Sequence, residues 1–156
     1  MSEYVSFYLK NKKTNTYTPL FSYGGYIRDS FSAMIGNHIA HFVYKDEDYR
    51  VAKPISKDTI DLIKTWLNDK VDSCIEDINA VKEQKEDVYN TNNSLQDKLE
   101  ILADLNNDLR LINQDLDEYR GGIRFYNFLL DIDYENKDCI YAGIECFAPD
   151  GSDIED

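Results

Sequence analysis

The stretch that decides the fold runs from Ser56 to Tyr119 and reads SKDTIDLIKTWLNDKVDSCIEDINAVKEQKEDVYNTNNSLQDKLEILADLNNDLRLINQDLDEY. Within it, every seventh residue is apolar nine times in succession. A repeat of this kind is typical of helices that pack along an apolar seam, as in a coiled coil. The nine positions are Ile60, Leu67, Cys74, Val81, Val88, Leu95, Leu102, Leu109 and Leu116.

Turn-forming residues interrupt this repeat at 90–94, where the sequence is Asn-Thr-Asn-Asn-Ser. Ser56 and Ser94 are both suitable N-caps, and Asp97 completes a pattern like a capping box after Ser94. We therefore predict helices at about 57–89 and 95–120 that fold back as an antiparallel hairpin. One unbroken helix across the whole stretch is the alternative, and only the unbroken seven-residue register favours it.

The segment before the hairpin alternates apolar and polar residues, which predicts strands at 4–9 and 17–23 around a polar loop. Gly24-Gly25 is expected to end the second strand. A short helix is then predicted at 27–35, stopped by Gly36-Asn37. Weaker patterns indicate two further strands at 39–44 and 49–53.

The segment after the hairpin is expected to form a C-terminal β-hairpin, because Gly121-Gly122 is expected to end the second helix. Residues 123–132 are apolar on both faces of a strand, which favours a central position in a sheet. Residues 139–147 would return as its partner. An acidic tail at 148–156 is predicted to be disordered.

Together these patterns predict an α+β fold, with a small, mainly antiparallel sheet from both chain ends and a long antiparallel helical hairpin. Residues 1–147 are expected to form a single domain. Its parts are a β-rich segment at 1–55, the helical hairpin at 56–120 and the C-terminal β-hairpin at 121–147.

The chain is strongly acidic, with a net charge of −13 over 156 residues. Residues 57–120 alone carry sixteen acidic and eight basic side chains. This balance argues against free nucleic acid as a ligand and favours a protein partner with a basic surface. No apolar run approaches the roughly 20 residues of a membrane span, and no signal peptide is evident. We therefore expect a cytoplasmic protein that does not bind membranes.

A helical wheel of the second predicted helix separates an apolar side from an acidic side. The acidic side, named here the acidic ridge, has two interpretations: a solvated face that maintains solubility, or an imitation of phosphates offered to a partner. Duplex DNA as long as this helix, about 39 Å, would carry roughly 23 charges, so the ridge can occupy only a local phosphate-binding patch. The acidic ridge comprises Asp97, Glu100, Asp104, Asp108, Asp115 and Glu118.

The apolar side of the same helix spans an arc of about 160°, more than one partner helix covers. Leucines left uncovered would form a patch that monomers rarely expose. We therefore predict a homodimer with a two-fold interface. The predicted interface residues are Leu95, Leu99, Leu102, Leu105 and Leu109.

Motifs that carry chemistry are few. His38 and His41 form H-x-x-H, but a strand there would point them to opposite faces, so no metal site is predicted. The three cysteines, Cys74, Cys139 and Cys146, have no metal or redox spacing and are expected to be reduced thiols.

One candidate small-ligand site remains, at the predicted entry to the short helix. Gly24, Gly25 and Arg28 could hold an anion there, although Gly-Gly between a strand and a helix is usually only a turn. The sequence shows no recognisable catalytic motif, so neither an enzyme nor a cofactor is predicted.

The predicted function is therefore non-catalytic binding of a macromolecule, most specifically inhibition of a nucleic-acid-binding host protein. This is an analogy with phage-encoded anti-CRISPR proteins, drawn because the chain is small, acidic and without catalytic motifs. One alternative is a structural or assembly protein in which the coiled coil builds oligomers. A second is a small-ligand binder or enzyme with a pocket near Gly24–Arg28.

Overall fold

The computed structural model describes residues 3–11, 13–25, 30–45, 53–132 and 137–144. Its elements confirm the predicted α+β class, with one antiparallel sheet and a long helical hairpin. In chain order they are β1 (Glu3–Asn11), β2 (Thr16–Gly25), α1 (Ser30–Phe42), β3 (Lys53–Ile55), α2 (Lys57–Tyr89), α3 (Leu95–Leu130) and β4 (Lys137–Ile144).

The four strands form one sheet in the order β2-β1-β4-β3, and every neighbouring pair is antiparallel. Strands from both ends of the chain therefore meet in it, as predicted. The β1–β2 turn is formed around Asn11, whose side-chain oxygen accepts hydrogen bonds from the backbone N–H of Lys13 and Thr14. Asn15 takes the left-handed conformation, with φ of 53°, that asparagine tolerates better than most residues.

The helical hairpin is confirmed, with α2 spanning the predicted residues and a turn before α3. Each helix begins at its predicted cap. The Ser56 hydroxyl accepts a 3.1 Å bond from the Thr59 N–H, and the Ser94 hydroxyl accepts a 3.2 Å bond from the Asp97 N–H. These bonds satisfy donors that the first helical turn leaves without partners. One unbroken helix is therefore wrong.

The chain divides into two compact units. One is Thr65–Ile123, which contains most of the hairpin, and the other combines Met1–Lys64 with Arg124–Asp156. The single domain predicted for residues 1–147 stays a prediction.

The hairpin unit is held together by heptad positions and by apolar residues between them. Val81, Val88 and Leu105 form a buried cluster, against which Leu102, Leu109 and Ile112 pack. Further along, the rings of Trp66 and Tyr119 meet edge to face with centroids 6.2 Å apart. The two helices are also joined by the Lys85 amine of α2, which donates a 2.8 Å hydrogen bond to the Asn106 side-chain oxygen of α3.

The other unit has a core built from all its described helices and from the sheet. Its fully buried side chains come from α1, the segment after it, β3, the start of α2 and the end of α3, and α1 also contacts β1 and β4. His38 on α1 is the one buried polar residue in the part of the chain that the structure describes. The fully buried residues are Ile35, Ile39, Tyr44, Ile55, Ile60, Ile63, Tyr126 and Leu129.

The predicted C-terminal β-hairpin is wrong, because α3 continues through Gly121-Gly122 to Leu130. The buried residues of this extension are Gly122, Phe125, Tyr126 and Leu129, which have helical spacing. Exposed Phe128 between them made the segment appear apolar on both faces of a strand. Each glycine costs a helix only about 1 kcal/mol, less than burying these large side chains contributes. Among the described residues after α3, β4 returns to the sheet.

The boundaries predicted near α1 also need correction. Gly36-Asn37 does not stop this helix, which continues to Phe42, so the strand predicted at 39–44 is wrong. Gly36 is buried, which shows that packing outweighs its poor helix propensity. β2 runs two residues beyond the predicted end and includes Gly24 and Gly25, its last described residues, which pair with Tyr4 and Glu3. The strand predicted at 49–53 reaches the described residues only at Lys53, and the tail at 148–156 lies outside them.

Candidate partner-binding surface

The acidic ridge lies on α3, where five of its six side chains are exposed and Glu118 is half-buried. Asp97, Glu100, Asp104 and Asp108 follow one another at spacings of three, four and four residues, which keeps them on one side of the helix. Within the described residues, none of the six carboxylates forms an ion pair with a lysine or an arginine. Their negative charge is therefore presented to solvent.

The last two ridge residues lie close to the contact between α2 and α3. Burial raises the pKa of the Cys74 thiol, and the charge of Asp115 raises that pKa further. The pKa of Tyr119 is likewise raised by burial first, with additional effects of Asp115 and Glu118. Asp115 and Glu118 thus lie near side chains of the helix contact, and the four preceding carboxylates are exposed.

The five leucines of the predicted oligomer interface divide into two groups. Leu105 is buried in the hairpin cluster, and Leu102 and Leu109 pack against it half-buried. Leu95 and Leu99 instead remain 74% and 58% exposed. Tyr89, on the other side of the turn, is 61% exposed. We name the set Tyr89, Leu95 and Leu99 the apolar tip.

The strand placement predicted for the two histidines is wrong. His38 and His41 lie on α1, one helical turn apart. His41 is exposed and packs against the Phe42 ring. His38 is buried, and its Nδ1 shares a 3.1 Å hydrogen bond with the Tyr126 hydroxyl. Burial lowers the pKa of His38 to about 4, which keeps the ring neutral at physiological pH. Burial also raises the pKa of Tyr126, so the phenol stays protonated.

The candidate anion site stays a prediction. Gly24 and Gly25 lie in β2, and Arg28 lies outside the described ranges. Among residues 3–11, 13–25, 30–45, 53–132 and 137–144, no group of three or more His, Cys, Asp or Glu side chains is placed to hold a metal ion.

The His38–Tyr126 pair was missed by the sequence analysis, although a signal existed. Tyr119, Gly122 and Tyr126 continue the hairpin seam at spacings of three and four residues, which favours a longer helix. His38 likewise lies between Ile35 and Ile39 on the apolar side of α1. A buried phenol generally finds a hydrogen-bond partner, and a buried imidazole can supply one.

No helix in the described ranges is long and apolar enough to cross a membrane. Comparison with models of protein families, with curated proteins and with solved structures finds no match to this chain.

Proposed function

We propose that this protein acts without catalysis, by binding a protein partner that has a basic surface, and that the acidic ridge of α3 is the contact. The observation that carries the proposal is the row of exposed carboxylates from Asp97 to Asp108, which have no ion-pair partner among the described residues. The row spans twelve residues, and its ends are about 16 Å apart along the helix axis.

The charge around the ridge favours the same partner. The unit Thr65–Ile123 carries fourteen acidic and six basic side chains, a net charge of −8. The negative potential of this unit attracts a basic surface within about a Debye length and repels nucleic acid. Free nucleic acid and membranes are therefore not the proposed ligands.

Within this class we favour a partner that normally binds nucleic acid in the cytoplasm of the host. About 16 Å of duplex DNA carries roughly ten phosphate charges, against four carboxylates in the exposed row. The ridge would therefore block part of a phosphate-binding patch and compete with nucleic acid, rather than reproduce a duplex. Inhibition of a phage-defence nuclease, in the manner of anti-CRISPR proteins, is the specific form of this proposal and rests on analogy.

Assembly into a homodimer is the second candidate function, since Leu95 and Leu99 are exposed at the end of the hairpin. In that case the coiled coil would build oligomers and the ridge would be a solubility face. The enzyme or small-ligand alternative stays a prediction, because Arg28 of its pocket lies outside the described ranges.

The test reverses three ridge charges with Glu100→Lys, Asp104→Lys and Asp108→Lys. The matched control, Glu83→Lys, Glu86→Lys and Asp87→Lys, makes the same charge change at exposed positions of α2. Partners captured from the native host on the immobilised wild type would be purified and titrated against all three proteins. We expect the ridge variant to bind at least about tenfold more weakly, the control to bind nearly as wild type, and wild-type binding to fall with salt.

Nucleic acid should compete with the wild-type protein for that partner. Equal affinity of the ridge variant and the wild type would show that the ridge is only a solubility face.

A further inference from the structure

The hairpin unit is acidic as a whole, but most of its basic side chains collect on one side of it. On α3, Leu99, Asn106 and Arg110 follow one another at spacings of seven and four residues, which keeps them on one side of the helix. The 2.8 Å hydrogen bond from the Lys85 amine to the Asn106 side-chain oxygen brings a row of α2 beside them. Two rows, one from each helix, therefore form a continuous surface.

This surface carries both the apolar tip and a group of positive charges. Tyr89 lies four residues after Lys85, and Lys82 lies three before it. Lys98, next to Leu99, donates a 3.4 Å hydrogen bond to the Tyr89 carbonyl, which places it at the junction of the two helices. We name the set Lys82, Lys85, Lys98 and Arg110 the basic side.

The acidic ridge points away from this surface. At 100° per residue, the tip leucines, Asn106 and Arg110 fall within about 60° of one another, and the ridge is centred about 150° further round α3. Two exposed carboxylates lie at the edges of the surface: Glu86, four residues after Lys82, and Asp117, seven residues beyond Arg110. Positive charge therefore predominates between those edges.

The positive charges of the basic side are not neutralised within the described residues. Positions three and four residues away are where a carboxylate would pair with a lysine or arginine along a helix. Around Arg110 these positions hold three asparagines and a glutamine, and around Lys85 and Lys98 none of them is acidic. Arg110 donates a 2.9 Å hydrogen bond to the Asn107 side-chain oxygen, so it binds a neutral acceptor, as Lys85 and Lys98 do. None of the four basic residues forms an ion pair with a described carboxylate.

The order of apolar and charged residues along the surface specifies its occupant. From Leu95 to Arg110 the surface is about 22 Å long, which equals about fifteen residues of a helix laid alongside. Next to the turn it presents the apolar tip, whose three side chains are 58–74% exposed. Further along it presents Lys85, Lys82 and Arg110. A helix with apolar residues at one end and carboxylates on the same face at the other end would complement both parts.

Two other occupants fit this surface less well. A phosphate backbone has no apolar part to cover the leucines, and the hairpin unit, with a net charge of −8, repels nucleic acid. A second copy of this chain would bring together two units that each have this net charge. Like charges at an interface oppose association.

We propose that the apolar tip and the basic side together form a docking site for an acidic amphipathic helix of a protein partner. Its apolar residues pack against the tip, and its aspartates and glutamates accept hydrogen bonds from the basic side. The site lies on a different side of α3 from the acidic ridge. The inference therefore goes beyond the proposed function and does not depend on it.

The test uses a synthetic helix of about 16 residues, the length of the surface, with leucines on one face of one half and glutamates on that face of the other half. A scrambled peptide and a peptide with lysine for every glutamate are the comparisons. The basic-side variant carries Lys82→Gln and Arg110→Gln. Its matched control, Lys70→Gln and Arg120→Gln, makes the same charge change at exposed positions of the same unit outside the surface.

The tip variant carries Leu95→Gln and Leu99→Gln. We expect the wild type to bind the glutamate peptide at least about tenfold more tightly than either comparison peptide. The basic-side variant and the tip variant should each bind it at least about tenfold more weakly than the wild type, and the control should bind as the wild type does. The variant with lysine at positions 100, 104 and 108 should bind it at least as tightly as the wild type, because the ridge lies elsewhere on α3.

Circular dichroism would show that each variant keeps its helix content. If the basic-side and tip variants bound the glutamate peptide as tightly as the wild type, the docking site would be wrong, whereas the dependence of the native partner on the ridge would be unaffected. Tighter binding of the lysine peptide would overturn the acidic character of the occupant. A single-stranded oligonucleotide that bound more tightly than the glutamate peptide, and that the basic-side variant released, would assign the surface to nucleic acid instead.

The oligomeric state provides a further check. We expect a wild-type mass near 18.2 kDa by light scattering. A mass of twice that value, halved by the tip variant, would overturn the inference, because a second copy would then cover the leucines.

Discussion

His38 is the residue whose environment has the most direct thermodynamic consequence. It is buried on α1 against Tyr126, and burial lowers its pKa from about 6.5 to about 4. The unfolded chain exposes the ring, so the unfolded state binds a proton at a higher pH than the folded state does. Acid therefore favours unfolding through this one side chain.

We expect the His38 contribution to the free energy of unfolding to be constant above pH 6.5 and to fall as the pH decreases towards 4. Between those values the unfolded state is protonated at this position and the folded state is not. Relative to the variant His38→Gln, the wild type should lose about 2 kcal/mol between pH 7 and pH 5. Urea denaturation of both proteins across this pH range measures the difference.

The variant His41→Gln is the control, because it removes an exposed histidine from the same helix. It should retain the loss of stability in acid that the buried His38 causes. A constant difference in stability between His38→Gln and the wild type from pH 7 to pH 4.5 would contradict a buried, neutral His38.

At the scale of elements, the end of α3 shows how packing decides where a helix stops. Gly121 is half-buried and Gly122 buried within this helix, and the buried stripe that follows places Phe125, Tyr126 and Leu129 in the core. The two glycines favour a break locally. The apolar area buried beyond them outweighs that preference.

Single alanine substitutions at these glycines test the helix directly. Gly121→Ala should raise the free energy of unfolding by up to about 1 kcal/mol, since alanine is the better helix former and the position is half-buried. Gly122→Ala should instead lower it by about 1–3 kcal/mol, because a methyl group added at a buried position has to displace packed neighbours. Urea denaturation at neutral pH measures both changes.

The opposite order would contradict the continuous helix. If Gly121 were part of a turn before a strand, it would adopt backbone angles that alanine avoids, and Gly121→Ala would then be the more destabilising change.

At the scale of the whole molecule, the net charge of −13 opposes the compact state. Raising the ionic strength from about 0.01 M to about 0.15 M shortens the Debye length from about 30 Å to about 8 Å, which screens this repulsion. We therefore expect added NaCl to increase the free energy of unfolding of the wild type, as followed by thermal denaturation at each salt concentration.

The ridge variant that carries lysine at positions 100, 104 and 108 is the comparison for this experiment. Each substitution changes the charge by two units, so its net charge is −7 instead of −13. Its stability at low salt should equal or exceed that of the wild type, and its gain from added salt should be smaller. A wild type insensitive to salt would mean that its charges are balanced locally in the fold.

The sequence by itself determined the hairpin, because each of its signals is local. The heptad repeat, the Asn-rich turn and the hydroxyls of Ser56 and Ser94 act over one or two helical turns, and the structure places both helix starts and the end of α2 where these signals predicted them. The acidic ridge was equally predictable, since spacing alone assigns residues to one side of a helix.

Only the tertiary structure decided the features that depend on distant partners. Gly36 and Gly121-Gly122 are helix breakers by propensity, yet both α1 and α3 pass through them, because core contacts outweigh a local cost of about 1 kcal/mol for each glycine. A periodic pattern likewise gives the width of an apolar arc but not the rotation of that arc against its neighbour. The packing of α3 against α2 decides that rotation, and with it that Leu105 is buried whereas Leu95 and Leu99 remain exposed.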